Sequence, residues 1–124
     1  MHFVHADAEG NARSVLGFLI QPSPQNRTQS KFFNQIPQPF PALDSEQQET
    51  MRLDPTLALQ DVGGFKKFWS YEGSLSTPPC TEGLRWFVSQ EPLYVDNDTL
   101  QSILAVSKYS ARPTQQRWMH ALNE

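Results

Sequence analysis

The sequence predicts a mainly β chain with short peripheral helices. Three observations carry that reading. Short apolar runs are bounded by Gly, Pro, Asn and Asp; prolines repeatedly cut elements short; and only two brief stretches, 29–36 and 99–106, place apolar residues at helical spacing. The opening segment His2-Phe3-Val4-His5-Ala6 reads as a strand, Asp7-Ala8-Glu9-Gly10-Asn11 as a turn, and Ser14 to Ile20 as the returning strand of a hairpin. Pro22 and Pro24 break that second strand. Thr28 is placed to cap a helix over Gln29–Ile36, with Phe32, Phe33 and Ile36 on one face, and Pro37, Pro39 and Pro41 end it. Residues 37–64 hold four of the ten prolines and a Glu/Gln patch, and read as surface loop with one helical turn.

Beyond Gly64 the apolar density rises. Phe65–Tyr71, Leu84–Val88 and Leu93–Val95 read as three strands, the last set off by Pro92. Asp96 or Asp98 caps a helix over Thr99–Val106, with Leu100, Ile103, Leu104 and Ala105 as its buried stripe. The tail after Ser107 has no clear period until Trp118-Met119 and Leu122, and no internal repeat is visible.

Composition narrows the function classes. With 38% hydrophobic residues in 124, one lean core is expected. A net charge of −3 argues against nucleic acid or an anionic membrane as partner, and no apolar run approaches a membrane span. His2-Phe3-Val4-His5 at the start offers no basic or apolar leader, so no signal peptide is expected in this chain. A single cysteine, Cys80, excludes an internal disulfide framework and any Cys-cluster metal site.

Two segments offer chemistry. In a strand His2 and His5 point to opposite faces, so only one can serve a given metal ion; the plain alternative is two histidines in a polar strand. The third histidine, His120, lies near the C-terminus. Between two predicted strands runs Tyr71-Glu72-Gly73-Ser74-Leu75-Ser76-Thr77-Pro78-Pro79-Cys80-Thr81-Glu82-Gly83. Pro78-Pro79 fixes consecutive φ angles, so Ser76 and Thr77 sit on a stiff backbone beside Leu75. Such a loop suits a cavity wall that orients a small polar reactant, and a Ser/Thr-rich structural loop is the alternative. An acyl-transfer nucleophile at Cys80 or Ser76 fails for want of a base in suitable context, and because Pro79 lacks an N–H for an oxyanion hole.

This run resembles the signature loop of the α-class carbonic anhydrases, Y-x-G-S-L-T-T-P-P-C-x-E. His2-Phe3-Val4-His5, Val15-Leu16-Gly17-Phe18-Leu19 and Arg112-Pro113-Thr114-Gln115 are similar to further stretches of that family in the same order, as is Trp86, six residues after Cys80. The resemblance spans the chain but only the C-terminal half of the family's domain, so residues 1–124 are expected to form part of its large, mainly antiparallel central sheet. It implies reversible hydration of CO2 to bicarbonate at a zinc ion, with sulfonamides and anions as inhibitors of the complete enzyme.

By the same resemblance His2 matches the third zinc ligand, and His5 a buried histidine that binds no metal. The other two ligands belong to an upstream H-x-H pair that this chain does not contain. Ser76 stands where the family has its gatekeeper threonine, keeping the hydroxyl but losing the methyl that restricts its rotamers. Thr77 matches the next hydroxyl, which helps hold bicarbonate or an inhibitor. Val4, Val15, Leu75, Leu84 and Trp86 resemble the apolar CO2 pocket, while Tyr71 and Arg112 match supporting positions. Zinc lowers the pKa of its bound water to about 7, and an apolar wall suits CO2, which has no net dipole. Cys80 matches one half of the disulfide of exported members, whose partner lies in the missing half; a free buried thiol is the alternative. Secretion or a periplasmic location is therefore expected of the full-length form, and the sequons Asn26-Arg27-Thr28 and Asn97-Asp98-Thr99 are compatible with it. Met1 then reads as an internal methionine or the edge of a fragment inactive alone. The alternative is a short, non-catalytic relative acting as a binding module.

Overall fold

The computed structural model describes residues 1–25, 27–38, 40, 50–107 and 113–114. The chain divides into two compact units, the first built from Met1–Leu19 and Lys67–Glu91, the second from Ile20–Lys66 and the segment that opens at Pro92.

The first unit is a four-stranded sheet of β1 (His2–Ala6), β2 (Ala12–Gly17), β4 (Phe68–Gly73) and β5 (Leu84–Ser89) in the order β1-β2-β5-β4. The predicted hairpin forms: β1 and β2 are antiparallel, with Val4 opposite Val15 and His5 opposite Ser14. Its turn is fixed by Asp7, whose Oδ1 accepts from the backbone N–H groups of Glu9 and Asn11, and whose Oδ2 meets Arg13 at 2.7 Å. Gly10 takes φ +87 there, a conformation that glycine adopts freely. The β4 and β5 strands are also antiparallel, but β2 and β5 run parallel, so the sheet is mixed. The β1–β2 and β4–β5 pairs keep the sheet mainly antiparallel, as expected; β2 and β5 are the exception, with no hairpin between them because the intervening chain passes through the second unit.

One face of the sheet carries Val15, Leu84 and Trp86 as a buried cluster, with Ala12, Tyr71, Leu75 and Val88 packed against it. The opposite face carries two aromatic pairs, Phe3 with Phe18 at 5.3 Å and Phe68 with Phe87 at 5.6 Å between ring centres, both edge-on. Alternation of side chains along each strand separates the two sets.

In the second unit β3 (Ile20–Pro22) runs parallel to β6 (Leu93–Val95). The run read as one strand to Ile20 is thus two, parted at Phe18-Leu19. The helix expected over Gln29–Ile36 is only a 3-10 turn at Phe33–Gln35. Its would-be first turn is committed elsewhere. The Ser30 N–H donates to Tyr94 O, and the Asp61 carboxylate takes both the Ser30 hydroxyl at 2.7 Å and the Phe32 N–H at 3.1 Å. The helical turn expected in the 37–64 loop is α1 (Thr56–Asp61), opened by Asp54 Oδ1 accepting from the Thr56 N–H. The strand β4 begins at Phe68, three residues later than expected, because Phe65 sits at φ +59, outside the extended region.

Helix α2 (Asn97–Val106) has Asp96 as its N-cap, with the Thr99 N–H donating to Asp96 Oδ1 at 2.7 Å. Its inward stripe runs through Thr99, Ile103 and Val106, whereas Leu104 is 56% exposed and Ala105 is exposed, which corrects the predicted stripe. The Thr99 N–H, first, holds the Asp96 carboxyl below the ordinary aspartate range. A depressed native pKa stabilises the fold above the unfolded value, and that contribution is lost as pH falls through the native pKa. Asp96→Ala is expected to cost about 1 kcal/mol at neutral pH and progressively less on acidification, read by denaturant unfolding across an acid series.

Candidate functional site

The register sets four side chains in one row across the sheet: Val4, Val15, Trp86 and Tyr71, one from each strand. Direct neighbours across strands share a face, so these form a continuous apolar and aromatic wall. Val15 is fully buried and Trp86 only 6% exposed at its centre, while Val4 on the edge strand is 52% exposed. The indole of Trp86 stacks on Tyr71 at 5.8 Å with an interplanar angle of 7°. Leu84 is buried in the same cluster and Leu75 packs against it from the loop.

The next row is His2, Gly17, Val88 and Trp69. His2 therefore lies on the wall's face, and His5, one of a polar row with Ser14, Arg85 and Glu72, lies on the other. Gly17 opposite His2 has no side chain, and the imidazole meets Trp86 edge-on at 4.8 Å. A Cβ at Gly17 would come within 3.2 Å of Val88 Cγ2. Partial burial holds the His2 pKa below the ordinary histidine value. This favours the neutral imidazole, the form that ligates metals. His2 remains accessible at the sheet rim. His5 is exposed, not buried as the family resemblance led us to expect, because its edge-strand row is solvated and polar.

The loop between β4 and β5 carries the hydroxyls. The Leu75 N–H donates to Thr81 O and the Cys80 N–H to Thr77 O, both at 2.9 Å, and the Pro78–Pro79 peptide bond is cis. Ser76 is half-buried and Thr77 exposed. Cys80 is an exposed free thiol at φ +55, which corrects the buried-thiol alternative. Arg112 and His120 lie outside the described residues.

A tetrahedral zinc site draws on at least three protein donors. Among the described residues no group of three or more His, Cys, Asp or Glu side chains could hold a metal ion. His2 supplies one imidazole, so the described residues do not by themselves fit a zinc ion. Two glycines and one backbone carbonyl also belong to the site and escaped sequence reasoning: Gly17, Gly73 and the Ser74 carbonyl. A glycine inside a predicted strand was the available signal for Gly17.

An imidazole on the same face as a row of apolar and aromatic side chains, with a hydroxyl-bearing loop leaving the sheet between β4 and β5, defines the class: a β-sheet protein with an apolar site on one face of its sheet. The model of the eukaryotic-type carbonic anhydrases matches residues 1–122, and the chain belongs to that family. It is 30% identical to alpha carbonic anhydrase 3 of Arabidopsis thaliana over 131 residues, covering 100% of this chain and 45% of the relative. The alpha-carbonic anhydrase of Photobacterium profundum superposes with a TM-score of 0.77 at 29% identity, covering 99% of this chain and 54% of that one. That of Thermovibrio ammonificans, solved with the inhibitor sulfanilamide, gives 0.70 at 31% identity over 98% and 51% of the two chains. The chain thus spans about half the length of these relatives. Among its described residues no helix is long and apolar enough to cross a membrane.

Proposed function

We propose that this chain is the substrate-pocket half of a zinc-dependent carbonic anhydrase domain that interconverts CO2 and bicarbonate. His2 is one zinc ligand, and the remaining ligands come from outside residues 1–124. The observation that carries this reading is the shared face: His2 stands on the same side of the sheet as Val4, Val15 and Trp86, while His5 does not. An apolar wall accepts CO2 without desolvating a dipole and keeps water from competing for the same surface. Ser76 supplies a hydroxyl able both to donate and to accept, and Thr77 a second that helps hold bicarbonate or a sulfonamide. The sulfanilamide complex of a relative supports inhibitor binding in the assembled domain. Export belongs to the same proposal, with exposed Cys80 available to a cysteine outside these residues.

The test combines this chain with the N-terminal half of an α-carbonic anhydrase, in trans or by ligation, and follows CO2 hydration by stopped flow. The expected outcome is hydration at the buffer rate for the chain alone and sulfonamide-sensitive hydration for the assembly. Sulfonamide-sensitive turnover by the 124 residues alone would place all ligands within them and overturn the division proposed. A folded, zinc-loaded assembly without turnover would assign the chain to the non-catalytic alternative.

A further inference from the structure

The β4–β5 loop leaves the sheet at Gly73, which pairs with Leu84 where the chain returns. Ser74 is the first residue off the ladder, so its carbonyl has no strand partner there. The indole Nε1–H of Trp86 supplies one, donating to Ser74 O at 3.1 Å across twelve residues of chain. The approach depends on the missing side chain at Gly73, where a Cβ would stand 3.0 Å from Tyr71 Cε2 and 3.2 Å from Trp86 Cδ1. The donor is itself held in place. Tyr71 stacks on the face of the indole, His2 meets the ring edge-on, and Val15 and Leu84 close the cluster around it.

We infer that Trp86 is a positioning residue as well as a wall: its indole N–H, admitted by Gly73, fixes the backbone from which Leu75, Ser76 and Thr77 project. The bond anchors the loop immediately before Leu75, whose own N–H then closes the loop on Thr81 O. One side chain thereby touches the His2 ring and sets the start of the hydroxyl-bearing segment. The consequence for turnover rests on the carbonic anhydrase reading, whereas the anchoring itself does not.

The experiment replaces Trp86 in the full chain by 3-benzothienylalanine, which keeps the ring shape but puts sulfur in place of the N–H. Amide hydrogen exchange is followed by NMR, with Gly73→Ala as a second variant that keeps the N–H but wedges the rings apart. Both are expected to speed exchange at the Leu75 and Cys80 amides roughly tenfold while the amides of β2 and β5 are unchanged. In the assembled domain the benzothienyl variant is expected to lower kcat with zinc affinity retained. Unchanged exchange at Leu75 and Cys80 in the benzothienyl variant overturns the inference, leaving Trp86 a packing residue. Equal acceleration in loop and sheet does the same, whereas a faster-exchanging loop with kcat unaltered upholds the anchoring and overturns only its consequence for turnover. The exchange measurement needs neither metal nor substrate, so it stands or falls separately from the proposed activity.

Discussion

Trp86→Ala is expected to destabilise the first unit by about 3–5 kcal/mol, the range for truncating a buried aromatic residue. Trp86 lies on β5, an inner strand of the sheet order, and is only 6% exposed. Its ring is shared by His2, Tyr71 and the Val15–Leu84 cluster, so truncation opens a cavity beneath all of them and also strands the Ser74 carbonyl. Domains are stable by only about 5–15 kcal/mol, so the loss is a large fraction of the whole. Denaturant unfolding followed by circular dichroism reads it. A change below about 1 kcal/mol would show that the row across the sheet does not carry the unit's stability.

The second large effect concerns the two histidines of β1. In the assembled domain His2→Ala is expected to weaken zinc binding by more than the 10–100-fold typical of losing a supporting hydrogen bond to a ligand. His5→Ala is expected to change it little, because its side chain projects from the other face of the same strand. Competition with a chromophoric chelator measures both. Similar losses from the two variants would contradict the face assignment, since one strand cannot direct residues three apart to one ion.

Much of this arrangement was legible in the sequence. The period-two argument separated His2 from His5 before any register was known, Pro92 marked the start of β6, and Asp96 was one of two candidate caps for α2, the other being Asp98. The Tyr71–Gly83 run was legible as a stiff loop between strands, and β4 and β5 flank it. What was not legible is long-range. The parallel pairing of β2 with β5 is not encoded in either strand's own alternation, so the row from Val4 to Tyr71 could not be drawn. The helix expected near residue 30 was lost to Asp61, a partner 31 residues away that takes the Ser30 hydroxyl. The indole–carbonyl bond at Ser74 likewise needs the fold to bring its partners together.

The most direct test of the central claim counts the ligands that these 124 residues contribute. The assembled domain is loaded with 113Cd in place of zinc, with 15N-histidine confined to this chain, and a 113Cd–15N correlation spectrum is recorded. One coupled histidine is expected, assigned to His2 by its loss in His2→Ala. Coupling to His5 or His120, or to no histidine of this chain, would contradict the assignment of His2 as the ligand beside the apolar wall.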